Sequence, residues 1–112
     1  MSPQSPNFAH IDSDGLISLL KSDDPPLVLD VREPHEYRIR HIPQAVLMPL
    51  NSLTVETVRG LDHAAKLIVL CEHGIRSQYA AAFLCSLGFE EVVNLSGGMA
   101  DFTGETTNKS GD

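Results

Sequence analysis

The segment KLIVLCEHGIRS, residues 66–77, joins the clearest predicted strand of the chain to its best predicted helix. Residues 66–70 are mostly apolar without alternation, which is typical of a strand buried on both faces of a parallel sheet. Residues 76–87 are rich in alanine and leucine, so they favour a helix with one apolar face. A strand that leads through a short loop into a helix is the repeating unit of α/β folds. Cys71 lies in that loop.

Strand and helix signals alternate in the same way along the rest of the chain. Further short apolar runs predict strands at residues 8–11, 27–31, 45–48 and 92–95. Helices are predicted between the N-cap Asp12 and the Asp23–Pro26 run, over 34–39, weakly over 52–60, and over 76–87. This alternation predicts an α/β fold with a parallel sheet and right-handed crossovers. In such sheets, ligands bind beyond the carboxyl ends of the strands.

The composition is that of one acidic globular domain. The 112 residues carry a net charge of −7, from 15 acidic and 8 basic side chains. That balance argues against a nucleic-acid-binding surface, which needs clustered Lys and Arg. Residues 1–7 lack the basic start and apolar stretch of a secretion signal, and no apolar run is long enough to cross a bilayer. We therefore expect a cytoplasmic protein that does not bind membranes, with a domain over residues 8–102 and flexible termini over 1–7 and 103–112.

The cysteines and histidines do not predict a disulfide framework or a metal site. The chain has only two cysteines, Cys71 and Cys85, and its five histidines lack metal-ligand spacing. Cys85 follows Arg76 by nine residues in the predicted helix, roughly 13 Å at 1.5 Å per residue. Because a disulfide needs closer Cα atoms, we expect Cys85 to be a core residue. Surface or turn positions are expected for His10, His35, His41 and His63.

The loop after residue 70 has the residues of an anion-binding site with a nucleophile. Unpaired N–H groups and the dipole at a helix N-terminus stabilise a thiolate, whose pKa there falls to roughly 3.5–7.5. Arg76 adds a cation, Gly74 lets the loop curl, and Ser77 can cap the helix or donate to an anion. We therefore predict Cys71 as the nucleophile. The predicted substrate-binding residues follow it: Glu72, His73, Gly74, Ile75, Arg76 and Ser77.

Two other interpretations of this loop are open from the residues alone. A lone cysteine at a strand end is most often a small buried apolar side chain. A cysteine followed by an arginine in a loop is also found in phosphatases and in arsenate reductases. The cysteine phosphatases use a loop one residue longer, whereas four residues separate Cys71 from Arg76 here. The shorter loop makes a smaller cradle, which favours a single sulfur atom carried on the cysteine over a phosphoryl group.

Three segments resemble the motifs of a known family. CEHGIRS, residues 71–77, matches its Cys-x-x-Gly-x-Arg-Ser loop. LVLDVREPHEYRIRHIPQAVLMPL, residues 27–50, is similar to its Asp-x-Arg, Glu-Tyr and His-Ile-Pro signature. NLSGGMADF, residues 94–102, resembles its closing Gly-Gly-Met-x-x-aromatic stretch. With these motifs in order from about residue 8 to 102, the chain resembles the single-domain rhodanese family of thiosulfate sulfurtransferases.

The resemblance implies both an architecture and an activity. The architecture is a rhodanese-like three-layer sandwich, in which a five-stranded, mainly parallel sheet of order 1-5-4-2-3 carries helices on both faces. The activity is transfer of a sulfane sulfur from thiosulfate or a persulfide donor, through a Cys71 persulfide, to a thiol, a protein acceptor or cyanide. We expect no cofactor and a monomer or weak dimer. The alternative is a non-catalytic or weakly catalytic rhodanese-homology module that docks to a protein partner and relays or senses sulfur.

Residues around the motifs refine these expectations. Asp30 and Arg32, at the end of the second predicted strand, are expected to form ion pairs that support the site. Arg40 and Gln44 replace glycines that are usual in the family. Glu72 puts an acid beside the nucleophile. If its side chain faces the pocket, it should repel thiosulfate and raise the pKa of Cys71.

Overall fold

The structure is a computed structural model that describes residues 8–109. The strands are β1 (Ala9–Ile11), β2 (Leu27–Asp30), β3 (Val46–Leu47), β4 (Lys66–Leu70) and β5 (Glu91–Leu95). The α-helices are α1 (Ser13–Leu20), α2 (Pro34–Ile39), α3 (Arg76–Ser86) and α4 (Gly98–Asp101). In this part of the chain, no helix is long and apolar enough to cross a membrane. The predicted strands are confirmed to within one residue at each end.

The strands of the described residues form one parallel sheet in the order β1-β5-β4-β2-β3. This confirms the architecture implied by the resemblance. The three central strands are in register, so that Val28 pairs with Ile68 and Ile68 pairs with Val93. β4 lies in the middle of the sheet, and its carboxyl end is therefore enclosed by neighbouring strands and helices. That end is where Cys71 follows.

Apolar clusters cover the two faces of the sheet and make the molecule three layers thick. Along β4, Leu67 and Val69 face the cluster that includes α3, while Ile68 and Leu70 face the cluster that includes α1 and α4. All four side chains are at most 2% exposed, as expected for a central strand without polar alternation. Cys71 belongs to the α3 side. Half-buried Cys85 packs against the same cluster from α3, in agreement with its predicted core position.

The main helices begin and end where the local sequence predicts. Asp12 caps α1, because its Oδ1 accepts a hydrogen bond from the Gly15 backbone N–H at 2.9 Å. On α3, Ala80 and Ala81 are fully buried, and their small size lets the helix lie close to the sheet. After α3, Gly88 adopts φ +95°, the left-handed conformation that often ends a helix.

The weak helix predicted over residues 52–60 is wrong. The chain instead forms a short 3₁₀ turn at Leu50–Ser52, followed by non-helical turns. The Thr54 Oγ1 accepts from the Thr57 N–H, and the Thr57 Oγ1 accepts from the Thr54 N–H and donates to the Ser52 carbonyl. These side-chain bonds compete with a helical ladder, and β-branched residues weaken helix propensity further.

His41 and the chain after residue 102 also differ from expectation. His41 is 2% exposed instead of lying at the surface, and its ring stacks on Tyr37 with 3.7 Å between ring centroids. Its backbone forms an antiparallel bridge with Thr107 through two hydrogen bonds of 2.8 Å. Thr107, within the segment that the sequence predicts to be a loose C-terminus, is therefore held by the His41 backbone. Residues 1–7 and 110–112, also predicted to be flexible, lie outside the described residues.

Candidate active site

Backbone and hydroxyl groups of the loop surround the Cys71 sulfur. Cys71 directly follows β4 and is 1% exposed. Its Sγ accepts hydrogen bonds from the backbone N–H groups of Gly74, at 3.1 Å, and of Ser77, at 3.3 Å. The Ser77 Oγ lies 3.3 Å from the same sulfur. The loop thus brings donors of two residues to a single sulfur atom.

This environment lowers the pKa of the Cys71 thiol. Burial has the largest single effect and raises the pKa, because a thiolate is poorly solvated inside the protein. Hydrogen bonds from the Ser77 side chain and from the backbone N–H groups of Ser77, His73 and Gly74 lower the pKa, and together they outweigh burial. Since the thiolate is the nucleophilic form of cysteine, the loop favours nucleophilic chemistry at this position.

Gly74 makes the curl of the loop possible. Its φ is +85°, a conformation that L-residues with a side chain rarely adopt. A Cβ atom at this position would also lie 3.1 Å from the Gly97 nitrogen and 3.2 Å from the Leu95 carbonyl oxygen. The loop therefore packs backbone against backbone on the segment that follows β5, and only glycine fits both requirements.

The start of α4 holds the other side of the loop. Met99 N–H donates to the Cys71 carbonyl and Ala100 N–H donates to the Glu72 carbonyl, both at 2.9 Å. Gly98, at φ +61°, permits this approach, because a Cβ there would lie 2.5 Å from the carbonyl oxygens of Cys71 and Glu72. The short helix α4, which begins at Gly98, was not predicted from the sequence.

Ser77 connects the loop to the last strand. Its fully buried hydroxyl donates a hydrogen bond to the Asn94 Oδ1, on β5. Ser77 does not cap α3, because the N-cap position belongs to Ile75 and Ser77 lies within the helix. Asn94 is 1% exposed and was not predicted as a site residue. Its polar side chain between the apolar residues Val93 and Leu95 of β5 is the signal that could have indicated it.

Arg76 is bound to a carboxylate that the sequence analysis did not assign to the site. Its Nη1 and Nη2 donate to Glu36 Oε1 and Oε2, on α2, at 2.9 and 2.8 Å. This two-bond contact is the main reason that the pKa of Glu36 falls to about 2. The same contact raises the Arg76 pKa, and the charge of Cys71 adds to that rise. The guanidinium therefore interacts with the sulfur electrostatically while it remains paired to Glu36.

Arg32 lies beneath the loop in a buried ion-pair cluster. It is 2% exposed, and its Nε and Nη2 donate to the Asp30 carboxylate at 2.9 and 2.7 Å. Its Nη1 donates to Glu72 at 3.1 Å, and its Nη2 also donates to the Arg40 carbonyl. Asp30 and Arg32 thus form the ion pair that the sequence predicts, and Arg32 connects β2 to Glu72, the residue after Cys71.

The side chains of the predicted binding residues point in different directions. Glu72 pairs with Arg32, and the Cys71 pKa is lowered, opposite to the shift expected if Glu72 acted on the sulfur from within the pocket. His73 and Ile75 are exposed, and the Ile75 side chain is 63% accessible. Ile75 borders a cavity of about 490 Å³ beside the loop, which is also lined by Phe8, His10, Gln78, Tyr79 and Ala82.

The sequence and the fold both match known proteins. The profile of the family described as "Rhodanese-like domain" matches residues 13–105. The chain belongs to the rhodanese-like domain family. This family match ends at residue 105, two residues before Thr107, which pairs with His41.

Two curated proteins and one solved structure illustrate what this rhodanese-like domain is similar to. Thiosulfate sulfurtransferase GlpE of Pseudomonas fluorescens is 40% identical over 64% of this chain and 65% of its own length. The putative sulfur carrier protein YrkF of Bacillus subtilis is 38% identical over 76% of this chain, which corresponds to 45% of that protein. The chain therefore spans about two thirds of the first of these curated relatives and about half of the second. A crystal structure of a rhodanese-like domain protein from Staphylococcus aureus superposes with a TM-score of 0.83 at 27% identity, covering 92% of this chain and all of that one.

Proposed function

We propose that this rhodanese-like domain is a thiosulfate sulfurtransferase that carries sulfur as a persulfide on Cys71. The observation that carries the proposal is the convergence of the Gly74 and Ser77 N–H groups on the Cys71 sulfur. These donors are positioned before any substrate arrives, so they can stabilise negative charge on sulfur without rearrangement. The similarity to a protein named thiosulfate sulfurtransferase supports the same reaction class.

The reaction proceeds in two displacement steps. The Cys71 thiolate attacks the outer sulfur of thiosulfate, the S–S bond breaks, and sulfite leaves with the bonding electrons. A Cys71 persulfide anion remains, with its charge near the loop N–H groups. A thiolate or cyanide then attacks the outer sulfur, and the Cys71 thiolate leaves. Covalent catalysis of this kind gives ping-pong kinetics.

The surrounding residues have supporting roles in this proposal. Glu72, His73, Gly74, Ile75, Arg76 and Ser77 form the loop that binds the donor. Arg76 orients an anionic donor, and the Arg76–Glu36 pair fixes the guanidinium next to the loop. Asp30 and Arg32 hold the loop from below through Glu72. Because Cys71 has to be reduced to start each cycle, we place the reaction in a reducing compartment such as the cytoplasm.

Intact mass spectrometry before and after incubation with thiosulfate tests the proposal. We expect a gain of one sulfur atom that is lost when cyanide is added. The gain should be absent in Cys71→Ser and present in Cys85→Ser, the matched control at the other cysteine. A gain that persists in Cys71→Ser would contradict the assignment of the nucleophile. Release of phosphate from a phosphate ester would instead support the Cys–Arg phosphatase interpretation.

The alternative is a module that relays sulfur to a protein partner and uses thiosulfate weakly or not at all. Two observations support this candidate: the similarity to a putative sulfur carrier protein, and the exposure of Ile75 and Tyr79, at 63% and 70%, next to the loop. Loading of Cys71 by a small-molecule persulfide, together with no loading by thiosulfate, would favour the relay. Loading by thiosulfate at millimolar concentrations would favour the enzyme.

A further inference from the structure

The Ser77 hydroxyl lies between two groups that can each accept its proton. Ser77 is fully buried, its Oγ is 3.3 Å from the Cys71 sulfur, and it donates to the Asn94 Oδ1. A serine hydroxyl has a single proton to donate. At any moment the Ser77 hydroxyl can therefore donate to the Asn94 amide oxygen or to the Cys71 sulfur, but not to both.

Contacts on its other side fix the orientation of the Asn94 amide. Asn94 Nδ2 lies 3.3 Å from the His10 Nδ1 and 3.4 Å from the Gly74 carbonyl oxygen, two groups that can accept a hydrogen bond from it. His10 and Asn94 are paired in the sheet between β1 and β5, which holds these two side chains next to each other. With its nitrogen directed to these acceptors, the amide directs its oxygen to Ser77.

The hydrogen-bond requirements then differ between the two charge states of Cys71. When Cys71 is a thiol, its S–H can donate to the Ser77 Oγ while the Ser77 O–H donates to Asn94, and every group is satisfied. When Cys71 is a thiolate, Ser77 helps the sulfur only if its O–H turns away from Asn94. The Asn94 oxygen then loses the hydrogen bond from Ser77. Because Asn94 is 1% exposed, water does not replace that donor.

We propose that Asn94 is a positioning residue that competes with the Cys71 sulfur for the Ser77 proton, and thereby limits how readily the thiolate forms. Asn94 acts through Ser77, without touching the sulfur. The inference rests on the proposed function only in taking Cys71 as the nucleophile. Its test therefore measures thiolate formation directly, in the absence of any sulfur donor or acceptor.

The test is the pH dependence of alkylation of Cys71 by iodoacetamide, with the modified site identified by peptide mass. In Asn94→Val, which removes the competing acceptor, we expect the midpoint of the profile to move to lower pH by about 0.5–1 unit, the equivalent of one modest hydrogen bond. Asn94→Ala serves as the second variant with the same expectation if the valine variant does not fold. Ser77→Ala alone should move the midpoint to higher pH.

The pair of variants distinguishes a proton competitor from a structural contact. In a Ser77→Ala background, Asn94→Val should produce no shift, because there is no longer a hydroxyl proton to release. No shift in the single variant, a shift to higher pH, or the same shift in both backgrounds would overturn the proposal. Other charged or titratable groups near the loop are unchanged in every variant: His73 in the loop, the Arg76–Glu36 pair and the Arg32–Glu72 pair. His10 on β1 loses its contact with Asn94 in both Asn94→Val variants alike, so a shift caused by His10 would appear in both backgrounds. Failure of thiosulfate to load Cys71 would contradict the proposed function and leave this result unaffected.

Discussion

At the scale of single residues, Arg76 and Glu36 form an ion pair with two hydrogen bonds beside the Cys71 loop. The two residues lie 40 positions apart in the sequence. Glu36 also accepts a hydrogen bond from the Glu33 N–H and so closes the capping box of α2. One carboxylate therefore fixes both the start of a helix and the cation that we propose orients the donor.

This pair predicts a defined pH dependence of stability. The Glu36 pKa is about 2 in the folded protein against an ordinary value of 4.5. Because the folded-state pKa is depressed, the stabilisation is fully present above pH 4.5 and is lost as the pH falls towards 2. Glu36→Gln keeps an acceptor for the capping box but removes the charge. We expect it to lower the free energy of unfolding at pH 7, with the difference shrinking below pH 4.5.

Urea unfolding of both proteins between pH 2 and 7 measures this difference. Glu56→Gln is the matched control, because Glu56 pairs with Arg59 at the surface, where both side chains are more than 70% exposed. Such exposed pairs contribute little to stability. If Glu36→Gln changes the free energy of unfolding by the same amount at every pH, the charge of this carboxylate is not the cause of the change.

At the scale of elements, two glycine-containing segments position Cys71 from opposite sides. The Cys71 loop curls at Gly74, and the start of α4 approaches the loop at Gly98. The N-terminus of α3 contributes a donor to the sulfur, and the N-terminus of α4 contributes donors to the loop carbonyls. The position of Cys71 is thus determined by contacts between elements as well as by its own strand.

Gly98→Ala tests the contact between α4 and the loop. The added Cβ would lie 2.5 Å from carbonyl oxygens of the loop, and φ is +61°, so the backbone has to move. We expect a loss of stability of about 1–3 kcal/mol, typical of strained backbone positions, together with slower sulfur loading of Cys71. Urea unfolding and the mass assay measure the two effects.

Gly60→Ala is the control for the loss of a glycine as such. A Cβ at residue 60 would have no atom within 4 Å, so this variant should keep both stability and sulfur loading. Equal effects at residues 60 and 98 would contradict a specific role for the approach of α4 to the loop.

The elements also show what local sequence can predict. The strands β2 and β4 are predicted well because each is a short, mostly apolar run with a clear break at both ends. Residues 52–60 are predicted poorly because threonine hydroxyls form turn hydrogen bonds that a helical pattern does not reveal. The short helix α4 escapes prediction because Gly97 and Gly98 indicate a turn, whereas Gly98 is the first of the four residues of the helix.

At the scale of the whole molecule, the site depends on pairings that only the sheet order creates. The loop sequence indicates Cys71, Gly74, Arg76 and Ser77. The structure brings donors of Gly74 and Ser77 to the Cys71 sulfur, while Arg76 interacts with it through its charge. Asn94 and Glu36 lie 17 and 40 positions from their partners Ser77 and Arg76. Nothing local to those residues indicates the contact, since it depends on β5 and α2 reaching the same end of the sheet.

The net charge of −7 predicts how salt affects the proposed reaction. Thiosulfate is a dianion, so the acidic molecule repels it at long range, and Glu36 already neutralises Arg76 at close range. Salt screens the long-range repulsion. We expect kcat/KM for thiosulfate to rise about two- to threefold between roughly 10 and 150 mM ionic strength, a modest effect because local charges are paired.

Alkylation of Cys71 by the neutral reagent iodoacetamide provides the control, and its rate should change little over the same range. A fall of kcat/KM with salt would mean that a positive local field dominates the approach of the donor, and that Arg76 remains available to it despite Glu36.

The approach of α4 to the loop has a further consequence for synthesis and fragmentation of the chain. Cys71 and its own strand are made well before Asn94, Gly98 and Met99, which hold the serine hydroxyl and the loop carbonyls. A chain that stops before residue 94 would contain the cysteine but lack these contacts. The arrangement of loop donors around the Cys71 sulfur is therefore complete only after the last part of the chain, from β5 to α4, has been added and docked.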